Sequence, residues 1–355
     1  MFNRAGGIAS IDLDEDMLYT GPMSEVSAEN AGKPGAARKP YIDTLKLLAV
    51  FIVYACHFIR QYHWDYFDLL YYQKPWTYLF HGVTGTLSVA FFCVCLGYFA
   101  FQSRNKNPMS YLLRRYLYFV LCGFAINLTV ALLNKDLSYH VIGASLRLGT
   151  RYFPEYWCMF HFFVASVISY FNAYHKVDGA FIVLEIILLC ILGKIWMAIC
   201  LLGNLAFLIQ KNGGFKKAIS LRAVRILLLL VAFVIIKRDE NDTTYLLYGI
   251  ASTLLLLTVE NSPLLQKILG VRIFSVPGRN EIAAYLFHTV VYLYIGKLLF
   301  SLFADLGFGT AFVLTLVLCW LLLVLISFPI NFVLEKCMGV ITKRINMLLA
   351  SPPQS

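Results

Sequence analysis

The chain has 355 residues, 59% of them hydrophobic and 15% aromatic, but only 14% charged, where ordinary soluble proteins carry about 25%. Mean hydropathy is +0.70, and 30 Lys+Arg against 20 Asp+Glu give a net charge of +10. These values exclude a soluble enzyme on one membrane anchor, and the long unbroken apolar runs exclude the alternating strands of about ten residues that build outer-membrane barrels. The basic excess reads as a topology signal in cytoplasmic loops, so no nucleic-acid partner is expected.

Residues 1–40 carry six acids (Asp12, Asp14, Glu15, Asp16, Glu25, Glu29) and then a small, Gly/Pro-rich basic run. This composition predicts a disordered cytoplasmic tail, without the features of a cleaved secretory signal. Ten apolar segments follow, at about 42–61, 78–101, 116–134, 156–173, 178–193, 195–210, 223–236, 244–259, 282–303 and 309–334. With both termini cytoplasmic, only Arg60, Lys74, Lys135, Arg147, Arg151, Lys194, Lys237, Arg238 and Lys297 fall outside, and the other 21 of the 30 basic residues fall inside. The prediction is an all-α, polytopic transmembrane bundle of about ten helices in the plasma or inner membrane. Its membrane domain covers 41–345, and a cytoplasmic tail follows at 346–355. Eight of the nine cysteines (Cys56, Cys93, Cys95, Cys122, Cys158, Cys190, Cys200, Cys319) lie in apolar runs, and no structural disulfide is expected.

Polar residues inside a bilayer are costly and mark sites or interfaces. In the first segment Asp43 and Lys46 are three apart and can pair on one helix face. His57 lies eleven residues beyond Lys46, three turns plus about 20°, so both point the same way about 16 Å apart. One stripe thus carries a cation near the cytoplasmic entrance and an imidazole, with an ordinary pKa near 6.5, towards the outer leaflet. It fits a polar pathway with His57 as general base. It also fits a Lys46 that snorkels to headgroups and a His57 that hydrogen-bonds a neighbouring helix.

Asp43, Lys46 and His57 in this spacing resemble the opening motif of the acyltransferase-3 family of integral membrane acyltransferases. Further stretches are similar in order: Ala90-Phe-Phe-Cys-Val-Cys-Leu-Gly-Tyr98, Tyr111-Leu-Leu-Arg-Arg-Tyr-Leu-Tyr118, Glu155-Tyr-Trp-Cys-Met-Phe160 and Gly278-Arg-Asn-Glu-Ile-Ala-Ala-Tyr-Leu-Phe-His288. The resemblance covers about residues 40–340. Departures are Leu96 and Glu281 where the family usually has Ser, Tyr118 where it often has Arg, and Lys46 in place of the commoner Arg, which keeps the charge but loses the planar fork.

The resemblance implies transfer of an acyl group, most often acetyl, from cytoplasmic acyl-CoA to a hydroxyl of a cell-surface or secreted carbohydrate. It implies a catalytic set of His57, Lys46 and Asp43. Arg114 and Arg115, at the predicted start of the third helix, suit the phosphates of the acetyl-CoA donor or simple membrane anchoring. Tyr98, Trp157, Tyr285 and His288 are candidates to line the substrate cavity. Glu185, alone in an apolar segment, should face the bundle. No bound cofactor or metal is expected, since His63, His81, His140, His161 and His175 lack ligand spacing. The aromatic loop at 60–78 (Trp64, Asp65, Asp68, Trp76) suits sugar stacking or a bilayer interface belt. A transporter or flippase, or a non-catalytic envelope-assembly subunit, would use the same polar stripe differently and stays open from sequence.

Overall fold

The computed structural model describes residues 39–66, 85–102, 107–136, 140–148, 158–235 and 242–350, and all regular structure among them is helical. The N-terminal tail, Trp157 and most of the aromatic loop lie outside the described residues. Helix α1 (Pro40–Tyr66) begins on a proline, whose fixed φ suits a first helical position, and runs past the expected end at 61. After α2 (Thr86–Phe101), α3 spans Pro108–Leu133. The Asn107 side chain caps α3 by accepting from Ser110 N at 3.1 Å, with Pro108 behind it. This start is earlier than the apolar run suggested, so Arg114 and Arg115 sit in the second turn of α3 and not ahead of it.

A short helix α4 (His140–Leu146), not expected from the sequence, packs back on α3, where buried Asn127 donates to Ser145 Oγ at 3.0 Å. Next come α5 (Cys158–Tyr174), α6 (Gly179–Ile191, capped by Asp178) and α7 (Ile195–Lys211). Helix α8 (Gly213–Ser220) turns 89° away from α7 at the Asn212 cap. Helices α9 (Arg222–Ile235) and α10 (Asp242–Glu260) are followed by two short pieces, α11 (Pro263–Leu269) and α12 (Arg272–Ser275). A 3₁₀ turn (Pro277–Asn280) leads into α13 (Glu281–Val290), a π turn (Val291–Ile295) and α14 (Gly296–Leu302). The last helix, α15 (Phe308–Ala350), continues through the expected boundary at 345 without a break.

Among the described residues, five stretches are long and apolar enough to cross a membrane: Pro40–Tyr62, Pro108–Leu133, Thr243–Glu260, Arg272–Leu302 and Phe308–Ile345. The bent α7–α8 pair raises this to six. Helices α2 and α6 are apolar but shorter. Large apolar side chains stand exposed along α6, α9 and α15, as expected of helices whose solvent is lipid.

Helix α1 sits between two cores. One, shared with α3, α13 and α15, holds Val50, Tyr54, Phe58 and Tyr62 against Phe119, Phe287, Val291 and Leu323. The other, centred on α2, α7 and α10, holds Ile42 and Ala49 with Cys93, Val94, Ile199 and Tyr248. Buried tyrosine hydroxyls are satisfied on backbone carbonyls: Tyr54 donates to Leu316 O at 2.8 Å and Tyr62 to Tyr292 O at 2.7 Å. Helices α3 and α5 are antiparallel, since Tyr111 stacks on Tyr170, Arg115 reaches Ser166 and Phe119 meets Phe163.

Helices α2 and α7 approach closely because Gly97 and Gly203 present bare backbone to each other. A Cβ on Gly97 would overlap the Cys200 carbonyl, and one on Gly203 would overlap the Val94 carbonyl. Gly97→Val or Gly203→Val is therefore expected to cost at least about 1–3 kcal/mol. A Cβ on Gly309 meets nothing within 4 Å, so Gly309→Ala should leave stability unchanged. Thermal unfolding of the detergent-purified variants checks both outcomes.

Candidate functional site

The two most deeply buried carboxylates among the described residues, Asp43 and Glu281, stand by Lys46 where α1 and α13 lie side by side. Lys46 Nζ donates to Glu281 Oε1 at 2.7 Å, and side-chain exposure of only 10% and 2% places this pair inside the protein. Asp43, 1% exposed, stands one turn before Lys46 and interacts electrostatically with both partners. An isolated charge at this depth would cost several kcal/mol, so the ammonium and carboxylate require each other. The Phe99 ring lies 5.4 Å from Lys46 Nζ, and the buried Cys95 thiol is also within its field. The backbone of Asp43 is packed directly under Gly278, where any Cβ would overlap the Asp43 carbonyl. Only glycine lets the 3₁₀ turn settle there and deliver Glu281 to Lys46.

At Glu281 the sequence departs from the pattern it resembles, and the structure makes this residue the ion-pair partner of Lys46. Its position was legible in a spacing that sequence reasoning passed over. Glu281, Tyr285, His288 and Tyr292 stand at i, i+4, i+7 and i+11, one continuous face of a helix. This face lies along the α1 stripe of Asp43, Lys46 and His57. Lys46 pairs with Glu281 and His57 meets His288 in the same order, so α1 and α13 run parallel.

At the far end of the paired stripes, His57 and His288 have ring centroids 5.3 Å apart. Tyr292 lies parallel to His57 at 6.4 Å, and Tyr285 lies 5.5 Å from His288 and 5.7 Å from Phe92 of α2. His288 is 1% exposed, whereas His57 is only partly buried. His288 Nδ1 donates to the Tyr285 carbonyl, which can only accept, and Nε2 lies 3.3 Å from Thr289 Oγ1. The π turn begins just beyond, and its Tyr292 carbonyl is the one that accepts Tyr62 Oη. Gly296 supplies the room, because a Cβ there would overlap that hydroxyl.

The remaining candidates divide. His288 is brought to His57, and Tyr285 lies against His288. Arg115 donates to Ser166 Oγ at 3.3 Å and lies over Phe119 at 5.6 Å, while Arg114 is buried at 7% exposure in the body of α3. Tyr98 is placed elsewhere: it packs edge-on to Phe207 with the Lys39 ammonium 5.4 Å from its ring, beside the Lys39–Glu260 ion pair at 2.7 Å. Tyr118 is buried and within the field of Glu281, and Leu96 packs against the second core. Glu185 accepts from Asn172 Nδ2 at 2.6 Å, which supplies the partner its spacing did not reveal.

The arrangement sets an imidazole pair at one end and fixed charges at the other, about 16 Å apart along α1 and about 10 Å along α13. Removing one member of a buried ion pair costs about 3–5 kcal/mol. Lys46→Met leaves two buried carboxylates, Glu281 and Asp43, without the cation, whereas Glu281→Gln leaves Lys46 beside Asp43. Lys46→Met is therefore expected to destabilise more than Glu281→Gln, an order that denaturant unfolding of the two purified variants tests directly. Compared with protein-family models, with curated proteins and with solved structures, the chain matches none of them.

Proposed function

We propose that the chain is an integral membrane O-acyltransferase, moving an acyl group, most simply acetyl, from cytoplasmic acyl-CoA to a hydroxyl of a cell-surface or secreted carbohydrate. The observation that carries the reading is the meeting of His57 with His288 and Tyr292, with Tyr285 against His288, at one end of a stripe that begins at Lys46 and Glu281. In this reading all ten apolar segments cross the membrane, and both termini and the Lys46 end are cytoplasmic. The resemblance of the Asp43, Lys46 and His57 spacing to the acyltransferase-3 family supports it.

His57 takes the proton of the acceptor hydroxyl as its oxygen attacks the thioester carbonyl. A C–O bond forms, the C–S bond breaks, and the coenzyme A thiolate leaves and takes up a proton. His288, whose Nδ1 is held by the Tyr285 carbonyl, is the fixed imidazole beside His57. Lys46 is too far along the helix to offset charge on a carbonyl at His57, since about 16 Å separates them. Its place, with Arg115, is at the phosphate end of the donor, whose long pantetheine arm bridges the distance; Glu281 and Asp43 hold the ammonium there.

His57→Ala is expected to abolish acylation while the protein remains in the membrane at wild-type level. The measurement is mass spectrometry of the surface polysaccharide, before and after mild alkali, from cells with the gene, without it and with the variant. An alkali-labile acyl mass that survives His57→Ala removes His57 from the mechanism. Unchanged acylation with reduced glycan export transfers the function to the transporter class.

A further inference from the structure

We infer that the face built by α8, the start of α9, and α11–α12 is a docking surface for the anionic headgroups of the adjoining lipid leaflet. The basic residues here are Lys211, Lys216, Lys217, Arg222, Arg225, Lys267 and Arg272, and no acidic residue occurs within 211–225 or 263–276. The acid at the end of α10, Glu260, is already engaged by Lys39 at 2.7 Å. Among these cations stand large apolar side chains open to the surroundings: Phe215 and Leu221 at 59% and 58% exposure, and Leu264, Ile268, Ile273 and Phe274 on the second piece. Exposed aromatic and aliphatic groups interleaved with lysine and arginine are the composition of a helix that rests in the headgroup layer.

Three further observations select a lipid surface over a soluble polyanion. The 89° turn between α7 and α8 means that, with α7 directed into the bilayer, α8 lies along its surface. Helix α9 then carries exposed Ile226, Leu227 and Leu230 onward, so α8 is tied to apolar helices at both ends. Both pieces are also held as one rigid face. Asn261 Nδ2 donates to Gln210 Oε1 at 2.8 Å, Arg225 Nη1 donates to the Asn261 carbonyl at 3.0 Å, and Gln266 Nε2 donates to the Glu260 carbonyl at 2.8 Å. A pre-assembled face loses little freedom on binding, which favours selective headgroup contact.

The test uses the full chain in detergent, titrated with phosphatidylglycerol or with phosphatidylcholine of the same acyl chains and read by native mass spectrometry. Each basic residue near an anionic surface contributes about a factor of five. The triple variant Lys216→Gln, Lys217→Gln, Arg222→Gln should therefore weaken phosphatidylglycerol binding at least about tenfold and leave phosphatidylcholine unchanged. A charge-matched triple on the opposite side of the membrane, Lys135→Gln, Arg147→Gln, Lys194→Gln, should keep the selectivity. Equal phosphatidylglycerol binding in the first triple, or an equal loss in the second, overturns the assignment. A second measurement leaves every cation in place: Phe215→Trp in vesicles of both lipids should add fluorescence that brominated acyl chains quench and aqueous acrylamide does not. Quenching by acrylamide alone puts α8 in water and overturns the assignment independently of the triples.

Discussion

An ammonium group buried in an apolar helical bundle has to find a carboxylate, and that requirement organises the centre of this molecule. Lys46 and Glu281 are separated by most of the chain, yet their 2.7 Å contact locks the first long helix to the α13 segment. The requirement reaches outward from there. Glu281 is delivered by a 3₁₀ turn that fits only because Gly278 lies bare on the Asp43 backbone. Thr44, the next residue, donates to the Leu269 carbonyl at 2.5 Å and so ties α11 to the same turn of α1. One charge contact thus fixes the depth of α1, the entrance of α13 and the seat of the surface piece between α10 and α13.

With that end anchored, the rest of the α1–α13 interface follows by helical repeat. The two helices run parallel, so a charged pair at one end and a seven-residue step on α13 carry His288 to His57. Around the histidines the neighbours are aromatic, and their polar atoms are directed to the backbone: Tyr62 to the Tyr292 carbonyl, Tyr54 to the Leu316 carbonyl, His288 to the Tyr285 carbonyl. In a lipid-surrounded bundle such bonds hold orientation as well as stability, because a misdirected hydroxyl has no water to fall back on. The consequence is a histidine pair whose inner member is rigid and whose outer member, His57, keeps access.

Much of this was legible in the sequence, because intramembrane polar residues are few and helical spacing says which of them share a face. The eleven-residue step from Lys46 to His57 and the nearness of Tyr285 and His288 needed no more than that. Other features depended on contacts that periodicity does not encode. The cap formed by Asn107 and Pro108 is a local signal, outweighed by the apolar run that begins later, so the start of α3 was misplaced. Helix α4 is too short for an apolar window and is tied to α3 by the Asn127–Ser145 bond and by the Tyr116 hydroxyl on the Leu146 carbonyl. Tyr98 shares a motif with residues near Lys46 but faces α7, a direction set by the Gly97–Gly203 crossing and not by its own neighbours in sequence. The 89° turn at Asn212 is likewise invisible in composition, since α7 and α8 read as one apolar run followed by a basic loop.

The π turn after His288 has a consequence for how this chain can vary. Such a turn holds one residue more than an α-helix covering the same path, so it behaves as an insertion absorbed within a helix. Loss of one residue between 291 and 295 would let regular α winding cover the same path, so the helix beyond would keep its place. Gly296 would stay under the Tyr62 hydroxyl, and Glu281, Tyr285 and His288 upstream would keep their register. The stretch between His288 and Gly296 is therefore where this helix can lose a residue without disturbing the contacts on either side.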